Sequence, residues 1–333
     1  MTGKFKSSLA KFLKTFIPLV FGLFVLWLIL FKILDFNEIM QIVKQDVNFW
    51  IIALSLPFGL FANIMRAYRW DLLIRPLGFR AKKSNLIYAV LGTYGVNLAV
   101  PRLGEVWRCT MISRYEKIPF TKLIGTMLTD RLSDTIAVAS IVIAAFAMNV
   151  PYFRAFFVQH PETFDALSAI LTSFWTYAIL LLLVLTGWLC FFVFKENKII
   201  KKTRQTLTGI WEGIFSIGQM KEKSLFFFYT FLIWIGYYLY FYICFFAFPF
   251  TESLGWNKGL IAFGMSSVAV AVPVQGGIGA WHAMVIAVLM GFGISSIDAG
   301  AFAFCVHTIQ ALIFTAAFGL FGVLALPFAN KGK

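Results

Sequence analysis

The chain has 333 residues, 60% of them hydrophobic and 13% charged, against roughly 45–50% and 25% in an average soluble protein. Its 39 Phe outnumber its 29 Lys and Arg, and a globular chain of this size has no interior large enough for that apolar surface, so lipid must solvate much of it. A soluble enzyme, a secreted disulfide scaffold and a disordered tail are excluded. The net charge of +14 is explained by basic loops between apolar runs, which leaves no call for nucleic acid.

Lys4, Lys6, Lys11 and Lys14 precede an apolar run at about 16–34. It is longer than the roughly 7–15 residues of a signal-peptide core, and Asp35-Phe36-Asn37 follows instead of a small-residue cleavage site, so it reads as a retained first membrane helix. The next run, about 49–65, ends in Arg66-Ala67-Tyr68-Arg69-Trp70. That sequence reads as an interface anchor, with rings at headgroup level and arginines snorkelling outward. A segment at about 84–117 is apolar but broken near its centre by Pro101 and Gly104. Runs of spanning length follow at about 120–149 and 169–194. Lys195 to Arg204, with Ile210, Trp211, Ile214 and Phe215 behind them, then suggest a basic amphipathic stretch on the inner leaflet. Spans at about 224–248 and 299–327 flank a second broken segment, about 259–293, interrupted by Pro273, Gly276, Gly277 and Gly279.

The expected fold class is therefore an all-α polytopic bundle of about six spanning helices and two broken hairpins. If the first broken segment crossed fully, Arg102, Arg108, Arg114, Lys117 and Lys122 would fall outside, against the positive-inside rule. A re-entrant hairpin that returns to its starting side removes the conflict. Of the 29 Lys and Arg residues, three (Lys44, Arg154 and Lys258) then lie outside and two (Lys32 and Arg131) within helices, leaving 24 on the cytoplasmic side with both termini. The chain is one integral membrane domain whose halves, about 16–149 and 169–327, have inverted topology. Ala99-Val100-Pro101-Arg102-Leu103-Gly104 and Ala271-Val272-Pro273-Val274-Gln275-Gly276 occupy equivalent places, and paired broken segments point to a transporter's binding site.

Ionisable residues inside a membrane are functional candidates by default. Arg102, Glu105 and Arg108 recur every third residue after Pro101, so one helix face would hold them. Asn97 precedes the break. Asp130 and Asp134 share a face of the following helix, and Arg131 lies about 100° around from Asp130. Guanidinium forks match phosphate oxygens, and helix N-termini add amide donors, so this group suits a phospholipid head. The competing structural reading pairs Arg131 with Glu105 or an Asp as a brace. The second break carries no charge; Gln275 supplies an amide there and its glycines allow close backbone approach. His282 and His307 read as isolated polar residues between helices. Cys109, Cys190, Cys244 and Cys305 form no CxxC or Cys/His cluster, so no metal and no cofactor is expected. No GxxxxGK[ST], GxSxG or HExxH occurs, and no loop is long enough for a catalytic domain.

Arg66-Ala67-Tyr68-Arg69-Trp70, Asn97…Pro101-Arg102-Leu103-Gly104-Glu105…Arg108, Asp130-Arg131…Asp134 and Pro273…Gly276-Gly277-Ile278-Gly279 together resemble the lysylphosphatidylglycerol synthase transmembrane-region family, also called the flippase-like domain family. The resemblance covers about residues 15–325, and the family more usually has Glu where Asp130 stands. It implies the membrane half of the bacterial multiple peptide resistance factor, which moves aminoacylated phosphatidylglycerol between leaflets and adds a cytosolic aminoacyl-transferase domain. This chain stops at Lys333, so the transfer reaction is not expected of it. The expected function is flippase-like movement of a phospholipid across a bacterial cytoplasmic membrane, with membrane lipid as partner, a separate lipid-modifying or glycan-assembly enzyme nearby, and a homo-oligomer left open. The alternatives are a membrane enzyme or accessory subunit acting on polyprenyl-phosphate or a lipid-linked sugar, and a purely structural scaffold.

Overall fold

A computed structural model of the chain describes residues 20, 23–100, 102–159, 218–270, 272 and 274–331, with scattered positions from 161 to 186. Among these residues every regular element is helical. Four helices among the described residues are long and apolar enough to cross a membrane, Phe49–Leu77, Phe120–Met148, Lys223–Ala247 and Ser296–Phe328, at the places the apolar runs foretell. The run at about 16–34 is described only in part. That at about 169–194 is described only at scattered positions, and the basic stretch from Lys195 lies outside the described residues, as do Pro101 and Pro273.

In chain order the helices are α1 (Phe36–Gln45), α2 (Phe49–Ile74), α3 (Lys83–Ala99), α4 (Leu103–Glu116), α5 (Phe120–Met148), α6 (Val150–Gln159), α7 (Lys223–Tyr242), α8 (Trp256–Ala269), α9 (Ala280–Gly291), α10 (Ser296–His307) and α11 (Thr315–Phe328). Asp35 caps α1 by accepting from the amides of Asn37 and Glu38, and Asn48 caps α2 by accepting from Trp50. Such short side chains satisfy amide donors that a helix start leaves open. A π-turn, Thr308–Phe314, joins α10 to α11.

Helices α3 and α4 form the first hairpin. At 17 and 14 residues, and 1.5 Å per residue, they reach about 25 and 21 Å, short of the roughly 30 Å hydrocarbon layer. The amide of Asn85, at the start of α3, donates to Glu116 Oε1 at the end of α4 at 2.5 Å. The chain therefore returns to the level it left. Two other ends share that level: Asn330, beyond α11, donates to Asn85 Oδ1 at 2.8 Å, and Arg75, at the end of α2, meets Glu222 at the start of α7 at 3.0 Å. Helices α8 and α9 form the second hairpin, closed at its base by Lys258 Nζ over the Phe292 ring at 5.5 Å. Its base lies at the opposite end of the bundle, where Tyr238 near the end of α7 donates to the Trp256 carbonyl at 3.0 Å. The two tips meet inside: a Cβ built on Gly276 would lie 3.2 Å from Leu98 Cδ2.

Two apolar cores flank this meeting point. One gathers Ile39, Ile52, Phe245, Phe248 and Phe302 near the base of the second hairpin; the other gathers Trp70, Leu72, Leu86, Ile112 and Leu123 near the base of the first. Large side chains such as Leu54, Leu132, Ile136, Ile143, Phe231 and Leu324 face outward, as lipid-facing residues must. Helices α3 and α11 approach to backbone contact. A Cβ on Gly95 would lie 2.8 Å from Gly319 Cα, and one on Gly322 would lie 2.5 Å from the Gly92 nitrogen. Small residues permit this because lipid supplies no hydrophobic drive between helices, leaving close packing to hold them together.

Candidate functional site

Helix α2 does not stop at residue 65 but continues to Ile74. Arg66 and Arg69, three residues apart, consequently project into the bundle instead of outward. Arg66 is 3% exposed and Arg69 is fully buried. This corrects the interface-anchor reading. The reason lies on α5, which presents Asp130 and Asp134 on the matching face. Arg69 Nη2 lies 2.5 Å from Asp130 Oδ1 and 2.7 Å from Asp134 Oδ1. Arg66 Nη1 donates to Asp134 Oδ2 and lies 3.8 Å from Asp130 Oδ2. A buried charge is tolerable only when it is paired and hydrogen-bonded, and each carboxylate here is held by more than one guanidinium.

The first hairpin adds the remaining charges. Arg108 on α4 is fully buried, donates to Asp130 Oδ2 at 3.1 Å, and lies 4.5 Å from the Trp70 ring centroid. The Trp70 indole in turn donates to Thr126 Oγ1 at 3.0 Å. Glu105 turns the other way, toward Arg131, whose Nη1 lies 4.0 Å from Glu105 Oε1 and 3.9 Å from Asp134 Oδ2. The Arg131 side chain is 35% exposed, that of Glu105 18% and that of Asp134 11%. The cluster thus has a closed interior of Arg66, Arg69, Arg108 and Asp130, and an open edge of Arg131, Glu105 and Asp134.

Asn97 pins the tip. Its Oδ1 accepts from the Gly104 amide at 2.8 Å, satisfying a donor at the start of α4, while its Nδ2 donates to Glu105 Oε2 at 3.2 Å. Gly104 has no room for a side chain, because a Cβ would overlap the Thr93 carbonyl oxygen. Arg102 is exposed, and its φ of 60° sets it before the helix in the left-handed region. The expected single face of Arg102, Glu105 and Arg108 is therefore not formed: left-handed backbone ends the helical spacing at Leu103, and the other two side chains diverge.

On the second tip, Gln275 is buried on a single 3-10 turn, Gln275–Gly277, and Gly276, Gly277 and Gly279 have φ of 58°, 75° and 83°. Only glycine adopts such angles cheaply, which accounts for the glycine-rich run. The histidines expected to be isolated are a pair, with ring centroids 4.4 Å apart. His307 Nε2 lies 2.8 Å from the Gly276 carbonyl oxygen, and His282 Nδ1 accepts from the Gly279 amide at 3.4 Å. Both rings brace the tip. Beside Arg66, whose guanidinium lies 5.7 Å from the Tyr237 ring centroid, Tyr237 donates to Asn63 Oδ1 at 2.9 Å and its hydroxyl lies 3.1 Å from that of Tyr94. Gln310, in the π-turn, donates to Ser55 Oγ at 2.8 Å and to the Tyr240 carbonyl at 2.6 Å. Ser55, Asn63, Arg66 and Arg69 therefore place a polar stripe along α2 that hydropathy alone conceals.

Among the described residues, no group of three or more His, Cys, Asp or Glu side chains is arranged to hold a metal ion. Cys109, Cys244 and Cys305 are buried and unbridged.

No curated protein and no solved structure matches the chain. One family model does, the lysylphosphatidylglycerol synthase TM region, over residues 15–319. The match takes in both hairpins, the Arg66–Asp134 cluster and the polar stripe. That region is the membrane part of its namesake enzyme and not the aminoacyl-transferase domain. With a lipid-related role in the membrane, the chain belongs to the lysylphosphatidylglycerol synthase TM-region family.

Proposed function

We propose that the protein moves a phospholipid between the leaflets of a bacterial cytoplasmic membrane. The observation that carries this reading is the pair of short hairpins that open at opposite ends of the bundle and meet tip to tip, Gly276 against Leu98. A site between such tips is reachable from either leaflet by small movements of one hairpin against the other, the geometry expected of inverted halves. The end bearing Arg75, Arg80, Lys82, Lys83, Lys117 and Lys122 is taken as cytoplasmic, following the positive-inside rule. Arg131, Glu105, Asn97 and Arg102 would meet the lipid head at the first tip. Arg66, Arg69, Arg108, Asp130 and Asp134 form the frame that holds it.

Reconstitution into vesicles with fluorescent phospholipid in both leaflets tests the proposal, with a membrane-impermeant quencher reporting exchange. Exchange that requires the protein and falls about tenfold in Arg102→Ala or Glu105→Gln, the size expected for losing a charged hydrogen bond, supports it. Vesicles with and without protein that behave alike overturn it. A covalently altered lipid recovered from the vesicles would favour the enzyme reading instead.

A further inference from the structure

The buried cluster is unbalanced in charge and in hydrogen bonding. Arg66, Arg69, Arg108 and Arg131 bring four positive charges; Glu105, Asp130 and Asp134 bring three negative ones. The nearest further carboxylate along α2, Asp71, is engaged by Arg75 at 2.6 Å. Donors are in excess too: Arg66 Nε, Arg108 Nε, Arg108 Nη1 and Arg131 Nε are buried without a hydrogen-bond partner. Guanidinium groups have donors only, so these donors call for acceptors, and the charge excess favours an anionic one.

We infer that the open edge of this cluster receives a lipid phosphodiester whose head is otherwise uncharged, so that the lipid brings one net negative charge, and that zwitterionic and cationic heads are disfavoured. The inference rests on the lipid-handling reading above and specifies its substrate class. Arg131 is the receiving group. Its two ion contacts, at 3.9 and 4.0 Å, are loose compared with those of Arg69 at 2.5 and 2.7 Å, and its side chain is the most exposed of the four. A phosphate oxygen there would answer the charge excess. Among the described residues, an ammonium group on the same lipid would find no idle carboxylate: Glu105 Oε2 accepts from Asn97, and Asp134 is held by Arg66 and Arg69. Like charge placed beside a low-dielectric cluster is repelled strongly.

The test uses the purified full-length protein in detergent with equimolar phosphatidylglycerol, phosphatidylcholine and lysyl-phosphatidylglycerol, bound lipid being counted by native mass spectrometry. The expected result is retention of phosphatidylglycerol about tenfold above the other two. Arg131→Gln should abolish that preference, the loss of one charge-assisted hydrogen bond, while Arg131→Lys keeps part of it. Thermal unfolding checks that both variants are folded, and the distant Lys44→Gln should match the wild type. Equal retention of the three lipids, or a preference untouched by Arg131→Gln, overturns the inference. Millimolar inorganic phosphate should leave the bound lipid in place; displacement would mark a site for free phosphate and overturn the lipid assignment. Exchange in vesicles, run in parallel, separates the two proposals. Selective binding without exchange retains the anionic site and rejects translocation, whereas unselective exchange does the reverse.

Discussion

At the residue scale, Asp130 is the pivot of the charged cluster. One carboxylate, fully buried, receives Arg69 on one oxygen and Arg108 on the other. Removing it leaves Arg108 without a carboxylate and Arg69 with Asp134 alone, in a medium that cannot solvate the difference. Asp130→Ala and Arg69→Ala should each lower stability by about 3–5 kcal/mol, read as a fall in the thermal midpoint in detergent. The double variant should cost less than the sum, because each loss removes the charge that the other leaves unpaired. Arg102→Ala, at an exposed position, should stay within about 0.5 kcal/mol of the wild type. Additive losses for the pair, or a large loss at Arg102, would contradict this division between frame and edge. The acidic half of the cluster was legible in the sequence, since charges within an apolar run stand out. Arg66 and Arg69 were not, because they follow a run already long enough to span. Their three-residue spacing, matched to the four-residue spacing of Asp130 and Asp134, was the available signal; it becomes informative only once α2 and α5 are known to face each other.

At the scale of elements, the hairpins were foreseen from composition: proline and glycine at the centre of an apolar segment, and basic loops that forbid a full crossing. The contact of α3 with α11 was not, since nothing in Gly92, Gly95, Gly319 or Gly322 taken singly specifies a partner. Backbone contact leaves no volume for a methyl group. Gly95→Ala should therefore cost about 1–3 kcal/mol by overpacking, whereas Gly255→Ala, with nothing within 4 Å of the added atom, should be nearly silent. Thermal midpoints of the two variants measure the contrast, and equal midpoints would mean that α3 and α11 part without cost. The paired histidines were missed for a similar reason: His282 and His307 lie on different helices, and only the fold of the second hairpin brings their rings together.

At the scale of the molecule, the contacts that close the two hairpin bases, a hydrogen bond in the first and a cation–π contact in the second, define two opposite faces. Cysteines placed at Lys83 and Lys122 should react with a membrane-impermeant thiol reagent from one side, and cysteines at Lys44 and Lys258 from the other. Cys109, Cys244 and Cys305 are buried, so a background with Cys190→Ser suffices. Reaction of Lys122→Cys and Lys258→Cys from the same side would refute hairpins of opposite opening. The excess of arginine over carboxylate also has an electrical side. If the first tip shifts along the membrane normal, its uncompensated charge moves through the transmembrane field, at about 2.3 kcal/mol per elementary charge per 100 mV for a full crossing. A bound monoanion would cancel that charge. The membrane voltage would then do work on the empty tip but not on the loaded one, so voltage would govern how quickly the tip resets and leave the carrying step untouched.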